Sequence, residues 1–329
     1  MLTDRLSIAL ERGLVTVPET GAIGVFGARS SHNLDALPKD RTRVITRYFP
    51  EHTHFESLGF DVSTRPDGRF MLTIVALPRA KDDARQLIAQ AAALSDGPVV
   101  VDGQKTDGID GILRDLRAFG IVGEVLSKAH GKIAVVDELD CAEWMALGAT
   151  LVDGRFRTSP GVFSADGIDP GSALLAEALP RSLKGRVADL GAGWGYLSEA
   201  ILKREGVTSL DLIEADCEAL DMARANIIDP RASFHWADAR EFRPEAPFDH
   251  VVTNPPFHTG RKADASLGQA FIRRSAAVLR PKGSLWLVAN RHLPYEAVLK
   301  DAFAETSVLD ETPSYKLFHA KSPRRHRKG

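Results

Sequence analysis

The chain has 329 residues, 44% of them apolar and 26% charged, and a formal net charge of −2. That length exceeds what one hydrophobic core usually organises, and the composition excludes a disordered chain. The charge balance argues against a protein that coats nucleic acid by charge alone. Cys141 and Cys217 are the only cysteines and lack metal-ligand spacing, so neither a metal site nor a disulfide framework is expected.

From the N-terminus, MLTDRLSIALERG is amphipathic and lacks the basic and apolar regions of a signal peptide. No apolar run reaches the roughly 18 residues of a membrane span. A monomer in a reducing cytoplasm is expected. Phe70–Leu77 reads as a strand, Lys81–Leu94 as a helix, Pro98–Asp102 as a strand and Ile109–Phe119 as a helix. Two short strands follow at Glu124–Ser127 and Lys132–Val136. A boundary is expected between Cys141 and Arg157, dividing residues 1–150 from 151–329. The second half alternates more clearly. Its strands are Val187–Leu190, Leu210–Glu214, Ala232–Trp236, His250–Thr253, Ser284–Ala289, Thr306–Leu309 and Tyr315–His319. Its helices are Gly195–Lys203, Cys217–Ile227, Ala265–Leu279 and Tyr295–Phe303. Such alternation predicts a mostly parallel sheet with helices on both faces. Only Asp310–Ser314, with Pro313 inside, separates the last two strands. That is too short for a crossover helix and predicts an antiparallel hairpin at one end of the sheet.

The succession from Phe70 to Val136 matches that from His250 to His319, which points to an internal duplication. The expected fold is α/β: two tandem Rossmann-like domains, the second with a seven-stranded, mostly parallel sheet, the first a degenerate copy. The copies differ where chemistry would sit. AIGVFGARS in the first half faces DLGAGWGYLS in the second, and Ala76-Leu77-Pro78 faces Asn254-Pro255-Pro256. At the C-terminus Lys321, Arg324, Arg325, Arg327 and Lys328 read as a solvated tail, with a phosphate-contacting arm as the sharper alternative.

Val187-Ala188-Asp189-Leu190-Gly191-Ala192-Gly193-Trp194-Gly195 ends a strand and opens a helix. Glycines let the backbone turn sharply and approach a ligand without a Cβ in the way. The spacing is GxGxG, not the GxGxxG of a dinucleotide site, and no Walker lysine follows. Glu214 closes the next strand, where an acid accepts hydrogen bonds from a ribose diol, and Asp238 ends the third, where an adenine amine would lie. Asp189 would face the far end of the same ligand. The candidate cofactor-lining set is Asp189, Gly191, Ala192, Gly193, Gly195, Glu214, Asp238, Ala239 and Asn254.

The fourth strand of this half runs into Asn254-Pro255-Pro256-Phe257-His258. Two prolines stiffen the turn and remove two N–H donors, leaving carbonyls free. An exocyclic amine on a base is a poor nucleophile because its lone pair is delocalised into the ring. Accepting its hydrogens on the Asn254 side-chain oxygen and the Pro255 carbonyl biases the nitrogen toward tetrahedral geometry and aims the lone pair. Phe257 would stack on the target ring. The candidate catalytic residues are Asn254, Pro255, Pro256 and Phe257. His258 is read as structural.

These residues resemble the class I methyltransferases that modify amino groups, and more specifically the bacterial ribosomal RNA guanine-N2 methyltransferases. The resemblance extends to Pro160-Gly161-Val162-Phe163-Ser164 with Asp166-Gly167 and Gly171-Ser172. It also includes Gly260 after the Asn-Pro-Pro loop, Val288-Ala289-Asn290 with Leu293-Pro294-Tyr295, and Tyr315-Lys316-Leu317. The first half matches only in patches, mainly around Val101–Gly111. The resemblance implies tandem methyltransferase-like domains of which only the second binds S-adenosyl-L-methionine, with the first as scaffold or RNA recognition domain. It implies methylation of a guanine N2 in ribosomal RNA, 16S first and 23S second, on naked RNA or a ribosomal subunit. Pro160–Ser164 would line the cofactor cleft or the entering base. Protein glutamine methylation is a rival reading, disfavoured because such enzymes carry tyrosine after the prolines. A noncatalytic ribosome-assembly factor is another, opposed by the intact Gly191, Gly193, Gly195, Glu214 and Asn254. Arg29, Arg41, Arg43, Arg47, Arg155, Arg157, Arg261 and Lys262 are candidate phosphate contacts, each with a solvated surface charge as the plainer reading.

Overall fold

The computed structural model describes residues 2–146, 150–256 and 265–324. The chain divides into two compact units, Met1–Ala149 and Thr150–Gly329. Each is built on its own seven-stranded sheet.

In the first unit, α1 (Leu2–Glu11) precedes β1 (Ile23–Phe26), β2 (Thr42–Ile45), α2 (Phe49–Ser57), β3 (Asp61–Ser63), β4 (Leu72–Ala76), α3 (Lys81–Ala93), β5 (Val99–Gln104) and α4 (Ile109–Leu116). A hairpin of β6 (Ile121–Lys128) and β7 (Gly131–Asp137) closes it. The strand order is β3-β2-β1-β4-β5-β7-β6, with β7 antiparallel to both its neighbours and the other pairings parallel. β4 sits at the centre with every residue from Leu72 to Ala76 buried, as a strand covered on both faces requires. α4 buries Ile109, Ile112, Leu113 and Leu116. Those positions form one stripe of a 3.6-residue period, each worth about 1.5–3 kcal/mol of apolar burial. Arg5 of α1 enters this core and is 1% exposed. Its Nε and Nη2 donate to Asp102 at 2.5 and 2.7 Å, and its Nη1 to the Lys128 carbonyl at 3.1 Å. Burial raises the Asp102 carboxyl above the usual range while Arg5 pulls it back.

The second unit opens with the small hairpin β8 (Thr150–Val152) and β9 (Phe156–Thr158). Then come α5 (Pro170–Ala178), β10 (Gly185–Leu190), α6 (Tyr196–Leu202), β11 (Val207–Glu214), α7 (Cys217–Asn226), β12 (Ala232–Trp236) and β13 (Phe248–Thr253). α8 (Ala265–Val278), β14 (Leu279–Asn290), α9 (Glu296–Ala302), β15 (Phe303–Glu311) and β16 (Tyr315–Pro323) complete it. The order β12-β11-β10-β13-β14-β16-β15 repeats that of the first sheet strand for strand. The hairpin expected at one end is present, β16 lying antiparallel to β14 and β15.

Three features depart from expectation. The first half is a whole copy: β1, β2 and β3 complete it, and they are only three or four residues long, too short to carry a periodic signal. α5 was hidden in the Gly- and Pro-containing stretch before β10, although Asp169 at the N-cap and Pro170 behind it are start signals. The basic C-terminus is not wholly a solvated tail. Lys321 pairs with Ser284 and Glu305 inside the sheet, and Arg324 donates from Nε to the Phe303 carbonyl at 3.1 Å. Strand pairing orders the backbone there while both side chains stay exposed. Arg325, Arg327 and Lys328 lie outside the described residues. Among the described residues no helix is long and apolar enough to cross a membrane.

Candidate active site

The carboxyl ends of β10, β11, β12 and β13 meet where the strand order reverses, the crevice in which open α/β sheets hold ligands. Leu190 pairs with Ile213 on one side and Thr253 on the other. Gly191, Glu214 and Asn254 therefore follow one another across three adjacent strand tips. Thr253 Oγ1 donates to the Leu190 carbonyl at 2.7 Å, and the Gly191 N–H donates to Ile213 at 2.8 Å. These bonds lock the tips together.

Gly191, Gly193 and Gly195 have φ of +76°, +54° and +95°, a region that side chains with a Cβ rarely enter. A Cβ on Gly193 would meet nothing within 4 Å, so this glycine faces open space. One on Gly195 would stand 2.9 Å from Ile227 Cδ1, and that glycine is needed for packing. Ala192 is buried beneath the loop. Glu214 braces it: Oε2 accepts from the Gly193 N–H and Oε1 from the Asp216 N–H, both at 2.8 Å. Burial raises the Glu214 carboxyl, and the N–H groups of Asp216, Gly193 and Ala215 pull it back. Three N–H donors leave the carboxylate one acceptor direction for a hydroxyl.

Asp189 is buried under the loop. Its Oδ2 accepts from Ser198 Oγ at 2.6 Å, while Oδ1 is buried with no hydrogen-bond partner among the described residues. Burial raises this carboxyl to about 7, Ser198 opposing and the Glu214 charge reinforcing. Asp238 lies two residues past β12, not at its end, and is turned toward its own loop. Its oxygens accept from the Arg240 N–H at 2.8 Å and from the Arg240 guanidinium at 2.5–2.9 Å. Ala239 beside it is buried.

Asn254 is held from the other side. Its Nδ2 donates to Asp169 Oδ2 and to Ser172 Oγ, each at 2.8 Å. Asp169 is the N-cap of α5 and also accepts from the Ser172 N–H at 2.7 Å. Pro255 is buried and Pro256 exposed. Phe257, His258, Gly260, Arg261 and Lys262 lie outside the described residues.

Sequence reasoning missed Asp169, Ser198 and Asn226. Asn226 joins the glycine loop to the β8–β9 hairpin: its Oδ1 accepts from the Arg157 N–H at 2.7 Å, and its Nδ2 donates to the Arg157 and Trp194 carbonyls, both at 2.9 Å. Trp194 Nε1 donates to the Phe163 carbonyl at 2.9 Å, which attaches the 160–164 segment to the same loop and leaves Phe163 53% exposed. Only the helix-start signal at Asp169-Pro170 was readable; Ser198 reaches Asp189 across a strand-to-helix turn, and Asn226 reaches residues far from it in the chain. Several suspected phosphate contacts have partners within the protein. Arg43 pairs with Asp61, Arg47 with Asp83 and Arg155 with Glu199, while Arg41 bonds the Pro18 and Gly21 carbonyls.

Residues 153–319 match the family model described as Methyltransferase small domain. The ribosomal RNA small subunit methyltransferase C of Escherichia coli is 31% identical, across 87% of this chain and 85% of that one. The protein of the same name from Alteromonas mediterranea is 27% identical across 97% and 99%. Among solved structures, the T. thermophilus 16S rRNA N2 G1207 methyltransferase, in complex with AdoMet and guanosine, superposes with a TM-score of 0.79. It is 26% identical and covers 93% of this chain and 90% of that one.

Proposed function

The chain belongs to the ribosomal RNA small subunit methyltransferase C family, and on that premise we propose that it methylates the exocyclic N2 amine of a guanine in 16S rRNA, with S-adenosyl-L-methionine as donor. The target is the guanine corresponding to the one named for the T. thermophilus relative. The observation that carries this reading is the juxtaposition of Asn254 with Gly191 across adjacent strand tips.

The residues present fit the cofactor. A buried carboxylate oxygen of Asp189 awaits a donor, Gly193 faces open space, and Glu214 has acceptor capacity left for a ribose hydroxyl. When bound, the cofactor supplies an electrophilic methyl group on a sulfonium. Gly191, Ala192, Gly193 and Gly195 would line its path, Glu214 would take the ribose, and Asp189 would face its ammonium. Asp238 and Ala239 would border the adenine, Asp238 with the acceptor capacity that Arg240 leaves it. Asn254 Oδ1 and the Pro255 carbonyl accept the two hydrogens of the guanine amine. They aim its lone pair and stabilise positive charge as it develops on nitrogen. The proton then leaves to water. Pro256 stiffens the turn. Catalysis is assigned to residues 151–329 and RNA recognition to residues 1–150. The protein acts as a cytoplasmic monomer on rRNA or the assembled small subunit.

The test is methyl transfer to unmodified 16S rRNA, 23S rRNA, small subunits and release factors in parallel, with the methylated position mapped. Label in 16S guanine N2 is expected. Label confined to protein, or to 23S rRNA, would sink the proposal.

A further inference from the structure

The Asn-Pro-Pro loop supplies an amide, and an amide has two ends of similar shape and opposite chemistry. Only the oxygen end accepts hydrogens from an amine; the nitrogen end would present two more hydrogens to it. Something must therefore choose the rotamer of Asn254. We infer that Asp169 is this positioning residue: its carboxylate, fixed at the start of α5, holds the nitrogen end of Asn254 and thereby turns the oxygen end toward the target amine. The inference rests on the methyl-transfer reading above and deepens it.

Three observations carry it. Asn254 Nδ2 lies 2.8 Å from Asp169 Oδ2 and 2.8 Å from Ser172 Oγ, which accounts for both amide hydrogens. A carboxylate only accepts, so rotating the amide by half a turn would set oxygen against oxygen. Oδ1 must lie on the opposite side of the amide carbon. Asp169 is itself immobilised, because the same Oδ2 also accepts from the Ser172 N–H at 2.7 Å in an N-cap bond. The site is packed tightly around that geometry: a Cβ on Gly171 would come 2.8 Å from the Tyr315 ring and 3.1 Å from Asp169 Oδ2. Two donated hydrogen bonds, one to a charged acceptor, also polarise the amide and strengthen its oxygen as an acceptor. Asp169 touches neither cofactor nor base in this scheme; it acts through Asn254.

Asp169→Ser and Asp169→Asn separate this role from helix capping. Serine keeps the cap bond to Ser172 but is one carbon shorter and does not reach Asn254. Asparagine keeps one oxygen in place for both bonds. The readouts are kcat and KM for guanine-N2 methylation, the dissociation constant of S-adenosylmethionine, and the melting temperature. Asp169→Ser is expected to fold normally, bind cofactor within about threefold of the parent, and lose about 10–100-fold in kcat through misorientation. Asp169→Asn recovers kcat to within about threefold by the same reasoning. Asp169→Ser adds nothing further in an Asn254→Ala background. Undiminished kcat in Asp169→Ser overturns the inference. So does an additive double variant, or an Asp169→Asn as impaired as Asp169→Ser. Should the wild-type chain methylate a different amine, the same variants read on that substrate still test Asp169, so the two failures are distinguishable.

Discussion

The two halves pack a leading helix on the same pair of strand positions, α1 on β5 and β7 and α5 on β14 and β16, and extend different polar contacts from it. In the first, Arg5 of α1 reaches Asp102 on β5 through a buried bidentate pair. In the second, Asp169 at the start of α5 reaches Asn254 at the tip of β13, while α5 packs on β14, the counterpart of β5. One contact stitches a core together; the other orients a side chain at a ligand crevice. The register makes the comparison residue by residue. Phe26 lies between Ile45 and Val75, as Leu190 lies between Ile213 and Thr253. Counting on from these pairs, Arg29 stands where the second half has Gly193, Thr46 where it has Glu214, and Ala76 where it has Asn254. The doubly wound sheet survives because its apolar strand residues survive. The chemistry is confined to a few strand-tip residues that can be lost without cost to the fold.

That contrast can be broken from either side. The largest effect is expected at the structural contact. Arg5→Ala leaves Asp102 buried without its partner, which should destabilise the first unit by about 3–5 kcal/mol. Hydrogen exchange should show lost protection in β5 to β7, with the second unit unaffected; a uniform change across both units would deny the contact a local role. Next comes the catalytic side. Asn254→Ala should reduce kcat by about 10²–10³-fold, the loss typical of a preorganised transition-state contact, with cofactor binding and melting temperature retained. Ala76→Asn at the equivalent position should create no activity in an Asn254→Ala background. Equal activity in wild type and Asn254→Ala would remove Asn254 from the mechanism.

Smaller, but sharper as a comparison, is the ribose acid. Glu214→Ala should weaken S-adenosylmethionine binding by about 10–150-fold, the worth of hydrogen bonds to a charged group. Thr46→Glu should not raise the binding stoichiometry above that of the parent, because Arg29 still occupies the path that Gly193 leaves open. Calorimetric titration reads both. The smallest effect concerns pH. Asp189 is raised from 3.8 to about 7. Below that pH the uncharged form is favoured in the unliganded protein, its stabilising contribution complete below about pH 4 and lost as the pH rises through about 7. A cationic ligand favours the carboxylate, so cofactor affinity should strengthen as the pH rises toward about 7, by up to about tenfold per unit of pH below it, and level off above. Asp189→Asn should flatten that profile, and an unchanged slope in the variant would assign the titration elsewhere.

Much of the second half was legible from residues near one another in the chain. Asp189 to Gly195 announced a strand, a turn and a helix because glycine spacing is a local property. Asn254-Pro255-Pro256 announced a rigid loop because proline removes donors wherever it stands. Glu214 was readable as the end of an apolar run. Less of the first half was legible, since β1 to β3 are too short for periodicity and were recovered only by pairing with their neighbours.

The sequence alone determined the α/β class, the alternation that forces a parallel sheet, the closing hairpin and the residue types that could serve an amine-methylating site. These follow from periodicity, loop length and side-chain chemistry, all of which act over a few residues. Tertiary structure alone decided that Asp169 faces Asn254, that Ser198 takes one oxygen of Asp189 and leaves the other bare, that Asn226 holds the glycine loop, and that Asp238 is engaged by Arg240. Except for the last, each contact joins separate elements. A hydrogen bond is set by distance and angle in space, and those are fixed only when the strands have taken their register.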